Sequence, residues 1–148
     1  MEPISPGSAA PTIEGLDLSR PQLLFFYKVT CPVCQLAAPI AELLQQAYPG
    51  RITGVGQDGE DELRRFADAY GVGFASVRDA PPYPASNAYG VRVVPTLFLV
   101  DGGDVLDVVE SWDREGFNRV SHGLAELIGA DASTVSTPDD GLPSFRPG

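Results

Sequence analysis

YKVTCPVCQ, residues 27–35, holds both cysteines of this 148-residue chain, with Pro32 and Val33 between them. Such a pair can be redox-active, half of a metal site, a structural staple or two inert core thiols. The flanking sequence separates these readings. Upstream, QLLFFYKV (22–29) is short, apolar and aromatic, as suits a strand buried on both faces in the middle of a sheet. Downstream, Pro32 fits the first turn of a helix, where its missing N–H costs nothing. Leu36, Ile40, Leu43, Leu44 and Ala47 then recur on one helical face. Pro39 falls inside that helix and is expected to kink it, and Pro49-Gly50 ends it.

Cys31 therefore stands at a strand-to-helix junction, where unpaired N–H groups and the helix dipole favour negative charge. A thiol there loses its proton readily, and the thiolate is the nucleophile. Cys34, one turn on and on the same side, can attack a mixed disulfide formed at Cys31 and release the partner. Thr30, Pro32 and Val33 complete the turn, and Val33 adds no charge to it. A structural zinc site wants four ligands; the chain has no third cysteine, and its single histidine, His122, lies among polar neighbours on the last helix, as a surface residue would. A disulfide closing so short a loop would be a poor staple.

Beyond Pro49-Gly50, RITGVGQ (51–57) alternates as a strand, and Asp58 is placed to cap a helix carrying Leu63, Phe66, Ala67 and Tyr70, with Gly71 as its stop. A short apolar piece follows at 74–77, then a turn-rich segment with room for one helical turn near 86–89. VVPTLFLV (93–100) reads as a strand with a proline near its head, DGGD (101–104) as a hairpin turn and 105–111 as the returning strand. Phe117, Val120, Leu124, Leu127 and Ile128 mark a last amphipathic helix. The first half is a βαβ unit with parallel strands, and the hairpin adds two antiparallel ones. The expected fold is α/β, a central mixed β-sheet flanked by helices on both faces. Residues 1–15 read as a flexible leader, 16–129 as one domain and 130–148 as a disordered tail rich in Pro, Ser, Thr, Asp and Gly.

A net charge of −10 argues against nucleic acid and anionic membranes as partners. No stretch approaches the roughly 20 apolar residues of a membrane span. The N-terminus lacks the basic start and apolar run of a signal peptide. As it stands the sequence reads as cytoplasmic, or as periplasmic if a signal or anchor has been removed.

These features together resemble the thioredoxin superfamily, and within it the TlpA-like/AhpC-TSA type of thiol–disulfide oxidoreductase. The resemblance spans about 21–129. It rests on the strand followed by CPVC, on Pro39 five residues after the second cysteine, on GVGQD (54–58) with the helix, SVRDA and AYGV after it, and on VVPTLFLVDGGDVL. It implies a thioredoxin-like fold, Cys31 as nucleophile and Cys34 as resolving thiol. It also implies a cis Val94–Pro95 bond facing the cysteines, with Val94, Pro95 and Thr96 meeting a substrate chain. No cofactor beyond the redox-active disulfide is implied. The partners would be protein thiols or disulfides and an electron-donating redox protein, and the chain would be a monomer. The chain departs from the pattern at Thr30, where the family usually has Trp. It departs again at Phe25 and Ala37, where a buried acid would stand, so the proton acceptor for the second thiol is open. A thiol peroxidase is the alternative enzyme, but its P-x-x-x-[ST]-x-x-C signature fails from either cysteine: Leu24 and Lys28 precede Cys31, and Tyr27 and Cys31 precede Cys34. A metal-binding module on the same scaffold is the non-enzymatic alternative.

Overall fold

The computed structural model describes residues 2–148. Its centre is β1 (Gln22–Tyr27), all six residues of which are buried. Leu23, Phe25 and Tyr27 enter one apolar cluster, and Leu24 and Phe26 the other. A strand that alternates between two cores needs cover on both faces, which is why its sequence is apolar throughout. Strand β1 leads into α1 (Pro32–Ala47) and then β2 (Ile52–Gly56), which lies parallel to it. Helix α2 (Glu60–Tyr70) connects to β3 (Ser76–Arg78), parallel to β2. After the short α3 (Pro84–Ala88), β4 (Thr96–Asp101) pairs antiparallel with β1 on its other side. Strand β5 (Asp104–Glu110) folds back along β4. The five-stranded mixed sheet runs β3-β2-β1-β4-β5. A two-residue strand, β6 (Trp112–Asp113), precedes α4 (Arg114–Ile128), and β7 (Phe145–Arg146) pairs with β6 near the end of the described chain.

Helices α1, α2 and α4 share one face of the sheet. The helix face read from the sequence is partly revised: Leu43 and Leu127 are exposed, and the small residues Ala37, Ala38 and Ala41 sit against the sheet instead. Small side chains let the helix backbone approach, so the interface is built from alanines as much as leucines. Gly71 and Gly129 end α2 and α4 in left-handed conformation.

Both termini depart from the sequence reading. The leader is not free: its backbone pairs with the β4–β5 turn (Ala10 N–H to Gly103 O, 2.8 Å) and with β5 (Gly7 N–H to Val105 O, 2.7 Å), and its Ile13, like Leu18 just after it, is buried with α3 on the second face. One short helix cannot cover that face, and the leader completes it. Residues 130–148 are packed as well. The Asn118 side chain accepts from the N–H groups of Val135 (2.8 Å) and Ser136 (3.2 Å), Tyr48 Oη accepts from Ser133 N–H (2.9 Å), and the fully buried Trp112 donates its indole N–H to Pro143 O (2.7 Å). Polar composition suggested a solvated tail; here those polar groups are paired with the domain.

Candidate functional site

Helix α1 begins at Cys31, the N-cap, whose Sγ accepts the Cys34 N–H at 3.2 Å, with Pro32 in the first turn. The sulfur thus does what a serine or aspartate oxygen does at other helix starts, meeting an unpaired N–H at the positive end of the dipole. Cys31 is half-buried and Cys34 fully buried, and both thiols are free. Burial, and then the hydrogen bond with Cys31, push the Cys34 thiol far above its ordinary range. The Lys28 backbone opposes this, while the charges of Cys31 and Asp58 add to it. The two sulfurs, one turn apart, are therefore chemically unlike.

On the facing side, the Cys31 thiol donates to Val94 O at 3.4 Å, and the Val94–Pro95 peptide bond is cis. Pro95 and Thr96 are buried; Thr96 Oγ1 donates to Val93 O (2.7 Å) and fixes the loop at the head of β4. Thr30 and Pro32 are exposed on the rim, and Val33 turns inward to the core. The structure thus brings Cys31, Cys34, the turn residues and the Val94–Thr96 segment into one place. Lys28 is exposed beside them, and His122 is exposed on α4. Among the described residues no three His, Cys, Asp or Glu side chains converge.

Three features of the site were not read from the sequence. Asp58 does not cap α2: Gly59 is the N-cap and receives no side-chain bond. Instead Asp58 Oδ2 accepts the Val29 N–H at 2.8 Å, while Gln35 Nε2 donates to Val29 O at 2.9 Å. Two side chains thus hold both backbone groups of Val29 and clamp the turn ahead of Cys31. The pairing of Tyr27 with Gly56 carried this signal, because residues just past the ends of two parallel neighbours must lie side by side. The third feature is a cleft of about 320 Å³ at Cys31, lined by Lys28, Gln57, Val93, Val94 and, from the far end of the chain, Gly148. A larger cleft of about 620 Å³, between the leader and the segment around α3, contains neither cysteine.

A dithiol at the C-terminal edge of a central parallel strand pair, facing a proline loop, defines a thiol–disulfide oxidoreductase of thioredoxin-like fold. The description AhpC/TSA family matches residues 11–108, and the chain belongs to that family. It is 30% identical over 96 residues to Thioredoxin 1 of Nostoc sp., covering 65% of this chain and 71% of that protein. It is 26% identical to the methylamine utilization protein MauD of Methylorubrum extorquens, over 86% of this chain and 64% of MauD. Among solved structures, the thioredoxin domain of a thiol-disulfide oxidoreductase from Bacteroides vulgatus superposes with a TM-score of 0.69 at 20% identity, over 82% of this chain and 99% of that one. MTB dsbF, solved in mixed oxidized and reduced forms, superposes with a TM-score of 0.60 at 27% identity, over 74% of this chain and 81% of that one. Among the described residues no helix is long and apolar enough to cross a membrane.

Proposed function

We propose that the chain exchanges or reduces protein disulfides through Cys31 and Cys34, with Cys31 as nucleophile. One observation carries this reading: Cys31 is accessible and its sulfur already accepts a helix N-terminal N–H, whereas Cys34 is sealed beneath it. The Cys31 thiolate attacks one sulfur of the substrate disulfide; a mixed disulfide forms and the other substrate sulfur leaves as a thiolate. Cys34 loses its proton and attacks Cys31 Sγ. The Cys31–Cys34 disulfide forms, the second substrate thiol is released, and two electrons have passed to the substrate. A dithiol partner then restores the reduced pair by the same chemistry, and no other cofactor enters. Val94 supplies the edge along which an extended substrate segment lies, with main-chain hydrogen bonds there giving sequence-tolerant binding, while Pro95 and Thr96, buried behind it, hold the loop in shape. Phe25 and Ala37 leave no acid at those two positions, and the negative charge of Asp58 raises the Cys34 thiol rather than easing its ionisation.

The test is a pair of variants. Cys34→Ser is expected to accumulate mixed disulfides with a substrate such as insulin, and Cys31→Ser to abolish insulin reduction. Full activity of the Cys31→Ser protein would remove the assignment.

A further inference from the structure

The tail is held in two different ways. From 133 to 143 it is anchored in the body of the protein: Val135 and Ser136 are buried, Asn118 takes three of its backbone groups, and the Arg114 guanidinium donates to Ser136 Oγ (3.0 Å) and Leu142 O (2.8 Å). Beyond Pro143 the hold is slight. Phe145 and Arg146 are exposed, and they form only a two-residue strand against Trp112 and Asp113. The remaining ties are Arg114 N–H to Ser144 O (3.0 Å) and Gly148 N–H to Ser111 Oγ (3.0 Å).

This loosely held piece ends its visible course in the reactive cleft. Gly148 packs so closely on the Val94 carbonyl that a Cβ there would stand 2.2 Å from the oxygen. That oxygen is the one the Cys31 thiol reaches at 3.4 Å. Ser111 joins the two, since its N–H donates to Pro95 O (2.8 Å) while its hydroxyl accepts from Gly148. The main-chain edge beside the nucleophile is thus partly taken by the chain itself, at a position where only a residue without a side chain fits.

We propose that residues 144–148 are a substrate-selecting strap. A protein segment must displace it to lie along Val94, whereas a small disulfide reaches half-buried Cys31 without doing so. The strap therefore sets which class of disulfide the pair accepts, and a partner that binds the strap elsewhere, for example by extending the exposed Phe145–Arg146 edge with a strand of its own, opens the site to protein substrates. This rests on the dithiol reading proposed above.

The test deletes 144–148 from the full chain; Pro143 remains, so Trp112 keeps its indole partner. Two single hydrogen bonds and a two-residue strand pairing hold the strap, so kcat/KM for insulin disulfides is expected to rise about tenfold, while that for a small aromatic disulfide stays within about twofold. Ser111→Gly, which keeps the positive φ of 70° at this position while removing the tie to Gly148, should shift the ratio the same way by a smaller factor. A synthetic peptide of residues 142–148 should lower insulin reduction by the deleted protein. An unchanged insulin to small-disulfide ratio in both variants overturns the strap and leaves the dithiol reading standing. Failure of the intact and deleted proteins alike to react with either disulfide overturns the dithiol reading, and the strap with it.

Discussion

Raising the pH on the reduced protein measures how dry Cys34 is. In the unfolded chain its thiol titrates at about 8.5; in the folded protein burial pushes it well above that. Above pH 8.5 the unfolded state therefore loses a proton that the folded state keeps. With the native state binding more protons, stability falls as pH rises, by about 1.4 kcal/mol per unit for one group. Between pH 8.5 and 10 the loss accumulates to about 2 kcal/mol, a large part of the 5–15 kcal/mol typical of a domain. The assay is urea unfolding of the Cys31→Ser protein in a phosphine reductant, so that one thiol is followed and burial, the largest cause of its shift, is retained. With m of about 2 kcal/mol/M, the midpoint should fall by about 1 M over that window. Tyr27 and Tyr89 are also pushed upward by burial; unfolded tyrosines are half-ionised at about pH 10 and so add only a few tenths of a kcal/mol each at the top of the window, about equally in the baseline protein. The Cys31→Ser/Cys34→Ala protein supplies the baseline. If the two proteins lose stability in parallel, Cys34 is hydrated in solution and the asymmetry between the thiols fails.

Asp58→Asn keeps an acceptor for the Val29 N–H but removes the charge. It should lower the Cys34 thiol pKa, cost about 1 kcal/mol of stability, and hasten release of a mixed disulfide at fixed pH, read by acid-quenched trapping with insulin; unchanged or slower release contradicts a repulsive Asp58 charge at Cys34. Gly54→Ala places a Cβ 2.3 Å from Ser76 Oγ and 2.8 Å from the Tyr27 ring, whereas at Gly56 the obstacle is the end of the Leu63 side chain at 2.4 Å. Gly54→Ala should therefore cost about 1–3 kcal/mol or more and Gly56→Ala less; thermal melts in the opposite order contradict that geometry. The Ser136 hydroxyl and then the Leu142 N–H hold the Asp140 carboxyl below its usual range. Its contribution is present above about pH 3.9 and lost as pH falls through the lowered folded value, so the tail should release from Trp112 only in stronger acid. Fluorescence of Trp112 follows this, and Asp140→Asn should remove the component.

The cysteine pair and the sheet centre were legible because each rests on local pattern. An apolar run of six followed by a proline-led amphipathic run admits few folds besides a buried strand and a helix, and CPVC at their junction places the thiols. The termini were not legible, for opposite reasons. The leader carries its signal in Ile4 and Ile13, two apolar residues set too sparsely among Pro, Ser and Gly to show a period. The tail has almost no apolar signal. What fixes it is reciprocal pairing with Asn118, Arg114 and Trp112, and each of those residues reads alone as an ordinary helix or strand position. Asp58 misled in a third way: an acid before a helix has a capping role by default, and only the neighbouring strand's register shows that a nearer N–H, that of Val29, claims it.

The absence of an acid at positions 25 and 37 has a consequence for the order of steps. Phe25 and Ala37 are fully buried, so nothing charged lies in the core beneath Cys34 and no internal acceptor competes for its proton. A neutral Cys34 is the resting state at physiological pH, and attack on Cys31 Sγ has to wait for that proton to leave. The Val29 clamp bears on how readily it leaves. Gln35 and Asp58 hold the Val29 backbone ahead of the pair, and the negative charge of Asp58 opposes loss of the Cys34 proton. A partner docked along Val94 excludes water from the pair, and a drier site holds the Cys34 proton more firmly, as burial and the Asp58 charge already do. Release of a large substrate then waits longer on that proton than release of a small one, and a strap over the Val94 edge acts on that step as well as on entry.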